Sequence, residues 1–341
     1  MLTIISTVVP IFVIILAGII VEKLDFMPEN SVRILSIFSI NICFPCLLFH
    51  IMSSTPLDNM GSWRWWLGIL AVQWLGFFIL YFIEKMRGEK DKVAILHGLV
   101  VAFCNAGFVG LPIIMSVYNQ DKAALSVAGV MIVASNTIVI IAQTMLVSDA
   151  AKERKEKEGD TARDEAQPSF LKKISFFLRT YILSNGIFMG VLLGLAVSAS
   201  GLGLWQPLDK ALSMLGYISP TCMLFTLGLG LRPDVARALS THSIHAGHQI
   251  VLILLRIAGL PLVTLLVLSL LGVDPLWISV STIMTATGCA IFTATLAQIY
   301  QADPGGCALT VSLTNVLSIV SISATLILLS HMGLLHFPLD I

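Results

Sequence analysis

Charge is scarce in this chain: 12% of its 341 residues are Asp, Glu, Lys or Arg, against 57% hydrophobic residues. A soluble domain needs far more charge to cover its surface, and the strongly positive mean hydropathy excludes that class. Acidic and basic residues balance at 20 each, so no basic field is left to attract nucleic acid. Catalytic signatures are missing too. No Gly-x-Ser-x-Gly, His-Glu-x-x-His or Walker-type phosphate loop occurs, which argues against an enzyme and against ATP-driven pumping. The six cysteines (Cys43, Cys46, Cys104, Cys222, Cys289, Cys307) lie in or beside apolar segments, where thiols act as small hydrophobes and not as a disulfide framework. The Asp and Glu residues fall in connections or at span ends, so the sequence writes no acidic proton relay into the membrane.

What remains is a series of apolar runs long enough for a bilayer. A window of about 20 residues gives candidate spans at 2–21, 32–53, 63–83, 93–118, 122–147, 180–200, 208–231, 247–271, 275–301 and 304–330. The fold class expected is therefore an all-α polytopic membrane protein with ten transmembrane helices. The first span lacks a positive n-region and a small-residue cleavage pattern, so it reads as a retained helix. Residues 148–179 form a mixed-charge linker with almost nothing apolar to bury. Sixteen of the twenty Lys and Arg, from Lys23 to Arg237, sit in the first, third, fifth and seventh connections. Arg64, Lys122 and Lys210 oppose them, and Arg256 lies within a span. By the positive-inside rule both termini are extracytoplasmic and the linker is cytoplasmic.

The segments flanking that linker, 1–147 and 180–341, resemble each other. "PIFVIILAGIIV" (10–21) aligns with "GIFMGVLLGLAV" (186–197), and Pro45 in "LSIFSINICFPCLLF" meets Pro220 in "LSMLGYISPTCMLF". Five spans per unit is an odd number, so two such units must lie in opposite orientations. This 5+5 inverted repeat is the plan of many secondary transporters, with scaffold and transport domains each drawing on both repeats.

Within that plan the fourth and ninth spans are weakened at their centres. "CNAGFVGLP" places Asn105, Ala106, Gly107, Gly110 and Pro112 in mid-membrane, and "TATGCAIFTAT" places Gly288 and Cys289 at matching depth. A break in lipid is tolerated only where protein or a wet cavity covers it. Two symmetric breaks bring half-helix ends to the midplane, where N-termini attract anions. Asn105 is suited to orient a substrate, since its amide both donates and accepts. Asn41, before Pro45, and Thr221, after Pro220, are polar points near kinks, open to either a substrate role or interhelical bonding. Asn136 and Asn315 form a further pair, read as packing. Arg256 in "LILLRIAGLPL" is the ionisable group deepest in a span; it calls for an anionic partner, or snorkels to the surface.

These features resemble the auxin efflux carrier family, whose bacterial members include proposed malonate and malate transporters. The resemblance rests on "NAGFVGLPI", on the proline-bearing second and seventh spans, and on the layout around the linker. It implies a carrier of a small organic anion, two crossing broken helices with the substrate at the crossover, elevator-like alternating access and a homodimer in a bacterial inner membrane. By that resemblance Asn105 matches a substrate-contacting Asn, and Arg256 stands where many bacterial members carry Lys. Plant members place Pro before that Asn and in the ninth-span break, whereas this chain has Cys104 and Gly288. No cofactor or resident metal is implied, and coupling to Na+ or H+ is left open.

Two smaller motifs complete the reading. His242, His245 and His248 recur at a spacing of three with no acid beside them, which argues against a metal site. Trp63, Trp65 and Trp66 read as an interfacial belt. The competing functions are a sodium-coupled symporter of larger amphipathic anions, of the bile-acid type, and a channel or receptor without saturable transport.

Overall fold

Each backbone N–H and C=O in hydrocarbon must be paired inside its own segment or against neighbouring protein, so apolar runs of this length fold as helices. The computed structural model describes residues 2–28, 30–55, 61–158, 186–230 and 246–335, and among them the regular structure is helical, with one isolated bridge and no strand. In chain order the helices are α1 (Leu2–Lys23), α2 (Ser31–Ser53), α3 (Trp63–Met86), α4 (Asp91–Ala102), α5 (Ala106–Val117), α6 (Lys122–Glu158), α7 (Gly186–Ser200), α8 (Gln206–Gly230), α9 (Gly247–Leu270), α10 (Pro275–Thr285), α11 (Phe292–Ile299) and α12 (Pro304–His331). By length and composition, six of them (α2, α3, α6, α8, α9 and α12) can cross a membrane. Most of the linker, together with His242 and His245, lies outside the described residues.

Proline sets the local geometry of three helices. The backbone widens to a π-turn at Ser39–Cys43, Ala106–Gly110 and Leu255–Gly259. In each, the N–H of the next residue (Phe44, Leu111, Leu260) bonds to the carbonyl five residues back. One residue later comes Pro45, Pro112 or Pro261. A proline ring clashes with the carbonyl four residues earlier and supplies no N–H, and the wide turn moves that carbonyl aside. Ile257, four residues before Pro261, gives its carbonyl to the Ser321 hydroxyl of α12 instead. Pro220 behaves differently from its supposed counterpart Pro45: α8 runs through it with no wide turn.

Apolar side chains point outward on α3 (Leu67, Leu75, Ile79, Phe82) and α9 (Val251, Leu254, Leu262, Leu266). Polar ones point inward on α10, where Ser279, Ser281, Thr282 and Thr285 are all buried. That inside-out distribution suits a lipid solvent, in which apolar burial no longer drives packing and close backbone approach takes over. Helix α7 shows the result: a Cβ on Gly190 would lie 2.6 Å from the carbonyl oxygen of Pro45 in α2. The aromatic belt needs a correction. Trp63 is exposed, but Trp65 is fully buried, donates from Nε1 to the Ser281 hydroxyl at 2.8 Å and stacks edge-on against Trp277. Its indole fastens α3 to α10, which its position next to an exposed Trp concealed.

Candidate functional site

Helix α4 stops at Ala102 and α5 starts at Ala106; α10 stops at Thr285 and α11 starts at Phe292. The two gaps lie against each other, antiparallel, with Cys104 opposite Cys289. Asn105 N donates to Gly288 O at 2.9 Å, and Ala290 N donates to Phe103 O at 3.1 Å. Each interruption thus supplies the partners that the other releases, which is how a break survives in a water-poor interior. Phe103 is extended (φ −94°, ψ 106°), and no proline enforces it. Cys104 sits at the bridge itself, whereas Gly110 and Pro112 lie downstream in the π-turn and first α-turn of α5.

A buried carboxamide network locks the crossing. Asn105, 1% exposed, donates from Nδ2 to Asn315 Oδ1 at 2.8 Å. Asn315 in turn donates to the carbonyls of Cys289 and Val311, both at 2.8 Å. Cys289 N donates to the Thr314 hydroxyl at 3.1 Å. Asn315 therefore does more than pack. Helix α12 comes this close because position 288 has no side chain: a Cβ there would lie 2.6 Å from both Cα and N of Asn315.

Arg256 neither snorkels nor meets a carboxylate among the bonds described. It is fully buried, and its guanidinium donates to Val101 O (3.2 Å), Thr287 O (2.7 Å) and Gly288 O (3.1 Å), while Nε has no hydrogen-bond partner. Those carbonyls lie where α4 and α10 end, and helix C-termini carry the negative end of the dipole. The charge is thus held by backbone. Replacing Arg256 with Met removes three bonds to buried acceptors, each worth about 1–3 kcal/mol when left unsatisfied, offset in part by relief of the buried charge. The expected outcome is a clear fall in the thermal midpoint in detergent, with exposed Thr221→Val as the unshifted reference.

Beside the crossing lies a cavity of about 410 Å³. Asn41 of α2, the stretch from Cys104 to Gly107, Ser135, Asn136 and Gln143 of α6, and Ile291 and Phe292 line it. None of the described lining residues is charged. The first N–H groups of α5, at Ala106 and Gly107, are of the kind that has no acceptor within its own helix. Of the residues singled out in the sequence, Asn41, Cys104, Asn105, Ala106 and Gly107 come together on this wall. Gly288 and Cys289 form the far strand of the crossing, with Arg256 behind it. Thr221 is exposed on α8, away from the cavity. Ser135 and Gln143 were missed, although the seven-residue spacing from Asn136 to Gln143 in an apolar run already puts both on one helical face. Glu84, in the last turn of α3 and so at a span end, is 1% exposed and faces His97 and His248, which sets beside His248 the acid that the sequence spacing did not show.

The sequence has counterparts among known proteins. Residues 3–326 match the family described as "Membrane transport protein". The chain belongs to this auxin efflux carrier-like family of membrane transport proteins. A "Putative malonate transporter" of Rhizobium meliloti (strain 1021) is 24% identical over 324 residues, covering 94% of each chain. Membership in a membrane transport family, with apolar helices long enough to span, makes this a multi-pass membrane protein and not an enzyme.

Proposed function

We propose that the chain is a secondary carrier of a small organic anion, a mono- or dicarboxylate bound at the crossing of the two interrupted helices. The observation that carries this reading is the antiparallel pairing at Cys104 and Cys289 beside a neutral, carboxamide-lined cavity. A carboxylate there meets the α5 N-terminus and the amides of Asn105, Asn41 and Asn136, with the Arg256 charge one layer behind. Repulsive carboxylates are missing from the described wall. The name of the Rhizobium relative points to the same ligand class, and a cavity of about 410 Å³ suits a small solute.

In this reading the chain is a 5+5 inverted repeat of ten spans, with residues 1–147 and 180–341 as the two units and 148–179 as a cytoplasmic linker. Both termini are extracytoplasmic in a bacterial inner membrane, and the working form is a homodimer. Alternating access is elevator-like, the crossing moving with its substrate against a fixed scaffold. The carboxamides and hydroxyls of the wall also suit Na+, so the same measurement tests a Na+ requirement. In a thermal-shift screen of the purified protein against C2 to C6 carboxylates with and without Na+, one short-chain anion raises the midpoint in a saturable way, because a ligand that binds only the folded state stabilises it. A shift restricted to bulky amphipathic anions in Na+ would assign the chain to symport of the bile-acid type instead. Saturable uptake of the same anion into proteoliposomes separates a carrier from a channel or receptor.

A further inference from the structure

Apart from the crossing, four ionisable groups gather: Glu84 near the end of α3, His97 from the middle of α4, His248 at the start of α9 and Asp303 before α12. His97 Nδ1 lies 3.4 Å from Glu84 Oε2 and 3.4 Å from His248 Nε2, and His248 Nε2 lies 3.3 Å from Glu84 Oε1. The three residues thus form a triangle in which Glu84 turns Oε2 to His97 and Oε1 to His248, and one ligand atom from each lies within 4.8 Å of the others. Zinc bonds to N and O of about 2.0–2.2 Å, set at tetrahedral angles, separate neighbouring ligand atoms by about 3.3–3.5 Å. Glu84 is 1% exposed, and its Oε1 has no hydrogen-bond partner although His248 is near.

The surroundings are those of a metal ligand set. His97 Nε2 donates to Asp303 Oδ2 at 3.2 Å, so Nδ1 is the nitrogen that faces Glu84 and His248 and that a neutral ring would offer to a metal, with the usual carboxylate support behind it. Asp303 is itself fixed, since its Oδ1 caps α12 by accepting from Gly306 N at 3.0 Å. His248 is the open side. Exposed Arg87 reaches its Nδ1 at 3.1 Å, and because arginine only donates, the hydrogen of that imidazole resides on Nε2 in this arrangement. The side chain of His248 is 12% exposed, so the triangle has an entrance at that edge.

The geometry points to a transition-metal site of the zinc type formed by Glu84, His97 and His248, with a water completing the tetrahedron. On metal entry the His248 hydrogen passes from Nε2 to Nδ1, and Arg87 swings to solvent. The Glu84 and Asp303 carboxylates supply negative charge beside which a cation is stabilised. The site binds three helices together and stands independently of the transport reading.

The test uses the full chain, purified in detergent, stripped with chelator and titrated with Zn2+ by calorimetry, with elemental analysis after desalting. One Zn2+ per chain is expected, and Co2+ in its place gives visible bands of tetrahedral intensity. His97→Gln and Glu84→Gln, which remove direct ligands, each weaken binding by more than the roughly 10-fold to 100-fold that loss of an outer-shell partner costs. Arg87→Ala tightens it, since a competing donor and a positive charge leave the entrance. Size-exclusion profiles identify any variant that fails to fold, and Glu84→Gln keeps the shape of the side chain. Binding that survives Glu84→Gln but disappears in His242→Ala/His245→Ala places the ion on the other two histidines of that run and overturns the proposal. So does the absence of Zn2+ and of Co2+ bands in the wild type, in which case protons on the histidines offset the charge.

Discussion

Uptake by the Asn105→Ala variant is expected to fall by about 100-fold or more, because a site built to hydrogen-bond a polar ligand group discriminates strongly once that bond is gone. Asn105 holds two positions at once. One hydrogen of its amide serves Asn315 Oδ1 at 2.8 Å, and the side chain also faces the cavity. Truncation also leaves Asn315 Oδ1 without this donor in a buried setting, at about 1–3 kcal/mol. A stability loss and a binding loss therefore arrive together, and Asn315→Ala separates them. That variant breaks the same bond but removes no cavity-lining atom. If Asn105 contacts the anion, both variants lose thermal stability, yet only Asn105→Ala abolishes the ligand-induced rise in midpoint. Equal loss of that rise in both makes Asn105 a positioning residue, and a normal rise in Asn105→Ala removes the crossing as the binding site.

The breaks were legible in the sequence because Gly and Asn stand in mid-span, at Asn105 and Gly107 and at Gly288, although Pro220 shows that a helix breaker in mid-span does not by itself end a helix. That the two breaks cross was legible only through the internal symmetry and the family resemblance; the bonds joining Asn105 to Gly288 and Ala290 to Phe103 are backbone bonds, which side-chain identity does not encode. Arg256 illustrates the same limit. Its length and charge called for an anion, but its partners are three carbonyls exposed because two helices end there. Thr221 stands apart from the cavity for a different reason. Proximity to Pro220 suggested a polar kink, while α8 stays helical and its phase turns Thr221 outward. Glu84 lay one residue past the expected end of its span, yet α3 continues to Met86 and packs that carboxylate against two histidines. Asn315 was read as packing because its reach to the crossing depends on what position 288 lacks, a contact visible only once α12 is in place.

That contact sets the second large effect. In Gly288→Ala the new Cβ falls 2.6 Å from Cα and N of Asn315 and 2.8 Å from its Cγ. Overpacking of a tight interior costs about 1–3 kcal/mol when side chains can move aside, and more when the obstacle is backbone. Here two of the three obstructing atoms are main-chain atoms of α12, so the strain is relieved only by pushing that helix away or by opening the crossing. Either movement stretches the bonds from Asn315 to Asn105 and to the Cys289 carbonyl, and it shifts the Gly288 carbonyl that both Asn105 N and Arg256 use. Loss of transport together with a lowered thermal midpoint is expected. The decisive comparison is Gly288→Ala/Asn315→Ala. Trimming Asn315 removes Cγ but leaves Cα and N in place, so the double variant is at least as impaired as the single one. Recovery of midpoint and uptake in the double variant shows instead that the side chain was the obstacle, and that the backbone of α12 does not press on the crossing.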